Sequence, residues 1–223
     1  AAARVVRGLL DGDLVGVGPA EVRDIDEQGY REGVVRTRHF GELEVPAEPR
    51  WVQHTKIGGR ESEPLVLEEL GAWIAELVEP GATWVFGPGS TTAAIVEHLG
   101  LPATLLGVDV VRDGEVILAD ATATQLLEAV DPVRAHVVVT AIGGQGHVLG
   151  RGNQQLTPAF LRRLDRARFH VVATRSKLAE LAGRPLVADS GDAELDAAWA
   201  GLIPVIVGFD DRVLYPLGDA GAG

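Results

Sequence analysis

Residues Thr83 to Val96 read TWVFGPGSTTAAIV, and the reading of this stretch decides the fold. Trp84, Val85 and Phe86 are β-prone, Gly87-Pro88-Gly89 stops the run, and Ser90, Thr91 and Thr92 suit the start of a helix that Ala93, Ile95 and Val96 continue. A buried strand feeding a helix through a glycine turn aims free backbone N–H groups at one point. The glycines let a ligand approach the backbone and the positive end of the helix stands behind them, so the junction suits a phosphate or a carboxylate. It has neither the Gly-Lys-Ser/Thr ending of a P-loop nor the third glycine of the dinucleotide fingerprint, and a tight βα turn that binds nothing is the alternative. A β-branched side chain at Gly89 is expected to harm ligand binding far more than folding.

Downstream, strand and helix patterns alternate, which predicts a mostly parallel sheet with helices on its faces. TLLGVDVV (104–111) reads as a central strand, turned by Asp113-Gly114 into EVILAD as a hairpin partner. HVVVTAI (136–142) is a second apolar strand and FHVVAT (169–174) a third, each followed by a loop and a helix. The loop after the second strand holds five glycines between Gly143 and Gly152, and Thr157-Pro158 starts the next helix. In an open parallel sheet the carboxyl ends of the strands share one edge, so Gly87 to Thr92, Gly143 to Gln155 and Thr174 to Lys177 are expected to form one cleft.

Within that cleft Arg151 and Lys177 are candidates to neutralise phosphate charge, and Ser90, Thr91 and Thr92 to donate to phosphate oxygens. Asn153 and Gln154 suit an amide or ribose edge, and Gly87, Gly89, Gly143, Gly144, Gln145 and Gly146 complete the candidate nucleotide- and phosphate-binding set. Asp109 is the candidate catalytic carboxylate; capping the Asp113-Gly114 hairpin is its structural alternative. Asp189 and Asp192 are weaker candidates for a base, since a turn and a helix cap explain them more simply.

Upstream, AAARVVRGLLDGD has a helical repeat, and residues 14–49 carry short β runs separated by Gly, Pro and Asp turns, read as two or three antiparallel hairpins. Arg31, Arg36, Arg38 and His39 within them are read as the solvated face of a strand opposite Glu42 and Glu44. A helix from about Glu63 to Val78 follows and ends at Pro80-Gly81. The expected organisation is a β-rich segment with a leading helix over residues 1–60 and an α/β nucleotide-binding domain over 61–223.

The 223 residues are 46% hydrophobic, enough for a substantial core, and carry a formal charge of −12. That acidity argues against nucleic acid and anionic membrane as partners, so any phosphate must be met locally. No apolar run approaches the roughly 20 residues of a membrane helix. The chain has no cysteine, which excludes thiolate chemistry and is compatible with a cytoplasmic location. The six histidines show no zinc-binding spacing, and neither Ser90 nor Ser176 sits in a nucleophile elbow.

GPGSTTAAI, LLGVDVV, IGGQGHVLGRGNQQLTP, ATRSKLAEL and DSGDAELD, in this order, together with EVRDIDEQGYREG, resemble the ATP-NAD kinase family, most closely its AcoX-type branch, over nearly the whole chain. The resemblance implies an NAD kinase-like α/β fold, α+β overall, in which a small antiparallel β-rich segment precedes the mostly parallel sheet and its glycine-rich βα loops. It also implies phosphorylation of NAD by ATP or another donor with a divalent cation, magnesium being expected, small-molecule nucleotides as partners, and a homo-oligomer. Members of the family resemble one another in a Gly-Gly-Asp-Gly-Thr motif whose aspartate is the expected catalytic residue. This sequence contains no such motif, so the likeness is to the C-terminal portion of such a protein. Two readings of other classes share the glycine loops: a non-catalytic nucleotide-sensing module, and a sugar-phosphate isomerase-like enzyme.

Overall fold

Consecutive buried residues along the central strands, their side chains pointing alternately to the two faces, build two apolar layers on an eight-stranded sheet. In the computed structural model, which describes residues 17–25, 37–46, 63–142, 144 and 146–219, the sheet order is β5-β4-β3-β6-β7-β9-β10-β8. The strands are β3 (Thr83–Phe86), β4 (Asp109–Arg112), β5 (Glu115–Leu118), β6 (His136–Thr140), β7 (Phe169–Val172), β8 (Leu186–Ala188), β9 (Gly201–Gly208) and β10 (Asp211–Asp219). Six α-helices accompany them among the described residues: α1 (Glu63–Leu77), α2 (Ser90–His98), α3 (Ala123–Ala129), α4 (Pro158–Leu161), α5 (Arg175–Glu180) and α6 (Ala193–Trp199). This is a mixed α/β sheet with a parallel centre, β3-β6-β7-β9.

Val85, Val137, Val139, Val171, Val205 and Val207 point to one face and meet Leu126, Phe160, Leu178 and Leu195 from α3 to α6. Trp84, Phe86, Val138, Val172 and Ile206 point to the other and meet Leu70 and Ile74 of α1 and Ile95 and Val96 of α2. A residue repeat of two on strands and of three to four on helices makes both layers possible from one chain. Gly71 allows α1 to approach the end of α2: a Cβ there would lie 2.5 Å from His98 Cγ.

The first apolar run departs from its expected strand. Residues 104–108 are not in a strand, and β4 begins only at Asp109, antiparallel to both β3 and β5. The Asp113-Gly114 turn forms as read, with φ of 50° and 76°, the left-handed pair of a type I′ hairpin. Pairings also close on themselves, because Ile142 bridges His147 and His147 bridges Val187 of β8, which pairs with β10.

The chain divides into two compact units, with the boundary between residues 54 and 55. In the first, β1 (Val17–Ile25) and β2 (Thr37–Pro46) pair antiparallel, with a register shift at Val22/Arg23. The leading helix and the Arg31 and Arg36 positions lie outside the described residues; Arg38 and His39 lie on β2.

Candidate functional site

Two of the three expected loops meet directly at the carboxyl edge of the parallel strands. Lys177 Nζ, at the start of α5, donates a 2.6 Å hydrogen bond to Thr91 Oγ1 in the first turn of α2. Thr174, after β7, caps α5 by accepting from Lys177 N at 3.2 Å, and its hydroxyl lies 2.8 Å from Ser176 Oγ. Local capping therefore aims the one described lysine across the sheet edge.

The β3–α2 turn is shaped by backbone demands. Gly87 N donates to Val138 O at 2.8 Å and Gly89 N to Leu105 O at 2.9 Å. Gly89 is the N-cap of α2 with φ 129° and makes no side-chain cap, so the first-turn N–H groups of Ser90, Thr91 and Thr92 receive no acceptor from the N-cap residue. Thr92 Oγ1 donates to Gly89 O at 2.9 Å. Thr91 and Thr92 are buried and Ser90 is exposed. A Cβ on Gly89 would lie 2.7 Å from Thr140 Cγ2, so a side chain there strains the backbone and strikes β6. The expectation that Gly89→Val spares folding is corrected on that ground. Thr140 Oγ1, fully buried beside this turn, has no hydrogen-bond partner among the described residues.

The glycine loop after β6 packs on this turn through Gly152, whose Cβ would lie 3.0 Å from Ile142 Cδ1 and 3.9 Å from Pro88 Cγ. Gly143 and Gln145 lie outside the described residues. Gly144 O accepts from Arg184 at 3.0 Å, and Gly146, at φ 76°, packs so tightly on Leu181 that a Cβ would come within 2.9 Å of it. Gly146 thus has a packing reason of its own. Asn153 is wholly buried and its Nδ2 donates to Val148 O at 2.9 Å, so it braces the loop instead of presenting an edge to solvent. Arg151 and Gln154 are exposed and line a cavity of about 370 Å³ with Gly150, Asp189 and Ser190. His147 lies near them: burial, then the Arg151 charge, lowers its pKa, and Asp189 opposes that shift.

Asp109, the candidate catalytic carboxylate, is buried and accepts three hydrogen bonds, from Thr104 N at 2.7 Å, Thr104 Oγ1 at 2.6 Å and Asp120 N at 3.0 Å. It fastens the 104–108 loop to the end of the β4–β5 hairpin, which differs both from the open base and from the cap of Asp113-Gly114 anticipated from sequence. Asp109→Asn is expected to cost about 2 kcal/mol, because an amide meets a ring of donors with one acceptor and no charge; urea unfolding measures it. An unchanged midpoint would mean that the loop does not depend on the carboxylate.

Sequence reasoning grouped Asp189 with Asp192, and the structure separates them. Asp192 caps α6 by accepting from Leu195 N at 3.1 Å and pairs with Arg162 at 2.6 Å. Asp189 has neither a hydrogen bond nor an ion pair among the described residues and stands on the cavity wall. No group of three or more His, Asp or Glu side chains able to hold a metal ion occurs among the described residues. No helix among them is long and apolar enough to cross a membrane.

An α/β protein whose glycine turns and single described lysine gather at the carboxyl edge of a parallel sheet has the layout of a small-molecule-binding protein of the doubly wound kind. The chain belongs to the ATP-NAD kinase family: the model of the ATP-NAD kinase C-terminal domain matches residues 81–217, more than half of the sequence. The family carries an NAD kinase-type function. A search of curated proteins and a search of solved structures each return no significant match.

Proposed function

We propose that the chain is the nucleotide-binding C-terminal part of an NAD kinase-type phosphotransferase that converts ATP and NAD to ADP and NADP. The supporting observation is the 2.6 Å contact from Lys177 to Thr91, which joins a cation to an uncapped helix start within the family-matched region. In the reaction, a ribose hydroxyl oxygen of NAD bonds to the terminal phosphorus of the donor as the bond from that phosphorus to its bridging oxygen breaks. The hydroxyl proton passes to a base. Such chemistry asks the protein chiefly for positioning and for charge neutralisation. Lys177 supplies the charge, and the N–H groups of Ser90 to Thr92 supply donors directed along the helix axis. Asp109 is committed to its loop, and we leave the base unassigned. The described residues offer no cluster fitted to a divalent cation, so no step is routed through one. The proposal extends to a cytoplasmic homo-oligomer that takes nucleotides and neither nucleic acid nor membrane as partners, in keeping with the charge of −12.

Titration of the 223-residue chain with ATP and with NAD tests the reading. Lys177→Ala is expected to lower affinity roughly tenfold, the effect of losing one charge-assisted bond at about 1.4 kcal/mol per decade. NADP formation in the presence of magnesium supports the kinase. Binding without turnover supports a nucleotide sensor, and stabilisation by sugar phosphates alone would replace both with an isomerase-like protein.

A further inference from the structure

The sheet face that α1 and α2 cover is left open beyond Ile206. Ile203, Val205 and Val207 of β9 and Val213, Tyr215 and Leu217 of β10 turn to the opposite layer, so the residues between them turn to this face. Ile206 is buried there with Leu70 and Ile74 of α1. Further along the hairpin Leu202 and Leu214 are 64% and 68% exposed, and Pro204 and Pro216 are exposed as well. The antiparallel register sets Leu202 opposite Pro216 and Leu214 opposite Pro204. Side chains directly opposite on neighbouring strands lie about 4.5–5.5 Å apart, so the four form one continuous apolar patch. A contiguous patch on a paired, rigid ladder differs from a lone surface leucine, and it marks a contact surface.

We infer that this patch on β9 and β10 is the surface through which two copies of the chain pack face to face about a twofold axis. The two leucines stand at opposite corners of the patch, and so do the two prolines. A twofold axis that lies between the faces and runs along the strands therefore sets Leu202 of each copy over Pro216 of the other, and Leu214 over Pro204. An axis running across the strands again sets leucine on proline. In both cases a tall side chain meets a low ring, which is the self-complementarity that an isologous contact demands. Charge favours the same occupant. The chain carries −12, so two copies repel over most of their surface. Leu202, Pro204, Ile206, Arg212, Leu214 and Pro216, which β9 and β10 turn to this face, include no carboxylate. Two such faces meet without opposed negative charges, and a basic partner would find nothing here to pair with. This assignment rests on the homo-oligomer in the reading above and adds to it the surface that joins the copies.

Sedimentation equilibrium of the full 223-residue chain, run over a range of concentrations, tests it. The parent is expected to associate. Leu202→Glu and Leu214→Glu should each raise the dissociation constant by roughly a hundredfold or more, because each sets a carboxylate against an apolar face. Leu214→Thr keeps a β-favouring residue without the charge and is expected to weaken association by roughly tenfold. Val133→Glu is the control, since Val133 is 54% exposed and lies elsewhere on the surface, and it should associate like the parent. Far-UV circular dichroism should be the same for all of them, because each changed side chain is exposed. If the parent is a monomer throughout, the interface and the homo-oligomer both fall, and the nucleotide reading still answers to its own titration. If the parent associates and the two leucine-to-glutamate variants associate as tightly, the copies meet elsewhere and this inference alone is overturned. Equal weakening by Val133→Glu would assign the effect to added charge and overturn it too.

Discussion

Gly150→Ala is expected to destabilise the chain by about 3–6 kcal/mol, the sum of a strained positive φ and overpacking against backbone. The glycine sits at φ 90°, and the added Cβ would lie 1.9 Å from Asp189 O and 2.8 Å from Asp189 C. Neither atom is the free end of a side chain, so relief requires the whole seam between the glycine loop and β8 to open. That seam holds the bridge from His147 to Val187, through which the strand pairings close into a ring. Domains of this size lose roughly 2–4 °C per kcal/mol, so melting followed by circular dichroism should fall by roughly 10–20 °C. Gly100→Ala is the control. Its φ of 76° is equally unsuited to alanine, but nothing lies within 4 Å of the added Cβ, so only strain of about 1–2 kcal/mol is expected. Equal melting points for the two variants would show that the seam yields cheaply.

The contrast between these glycines also explains what could be read from the letters. Gly87-Pro88-Gly89 and Asp113-Gly114 announced themselves because the backbone demand is local: a glycine or aspartate at positive φ, flanked by β-prone residues. Thr157-Pro158 could likewise be placed at a helix start, whereas Thr174, read as the end of the strand FHVVAT, turns out to be the N-cap of α5. TLLG was read as strand because its residues are apolar, yet burial does not require β pairing. Gly107 instead lies in a loop where a Cβ would come within 2.5 Å of Asp120 Oδ1, and Asp109 holds that loop with a carboxylate. Asp189 and Asp192 carry the same chemistry three positions apart, and only the folded positions of Leu195 N and Arg162 make Asp192 a cap while Asp189 stands on the cavity wall. Asn153 looked available because it lies in a glycine-dense loop; it is wholly buried, its Nδ2 donates to Val148 O five residues back, and its Oδ1 has no partner among the described residues. The ring closure through His147 depends on a partner in β8 that no local pattern announces. Histidines scattered in the sequence are brought together by parallel strand pairing, with consequences in acid.

His136 and His170 lie 34 residues apart in sequence and stack beside Trp84, with ring planes 4° apart and His136 Nδ1 3.0 Å from His170 Nε2. Arg168 Nη1 donates to His136 Nε2 at 2.7 Å. A guanidinium is only a donor, so His136 Nε2 accepts, its Nδ1 carries the hydrogen, and His170 Nε2 accepts in turn. Both rings are neutral in this relay, and a proton on either leaves two donors facing each other. Burial, then the charges of His136, Arg212 and Arg168, push the His170 pKa down from 6.5 to about 4; burial and Arg168 lower His136 as well, with Glu79 opposing. The unfolded chain takes up its proton as pH falls below about 6.5, whereas the folded chain resists until about 4. The stabilisation is thus fully present above pH 6.5 and is lost as pH falls toward 4, by about 3 kcal/mol at 1.36 kcal/mol per pKa unit, with His136 adding in the same direction. Urea midpoints at pH 7.5, 5.5 and 4.5 should trace that decline. His170→Gln keeps an acceptor for His136 Nδ1 and cannot titrate, so its midpoint is expected to be lower than the parent's at pH 7.5, through lost stacking, and to fall less steeply in acid. If the two chains lose stability in parallel across this range, His170 is not the group that unfolds the protein in acid, and carboxylates elsewhere carry the effect.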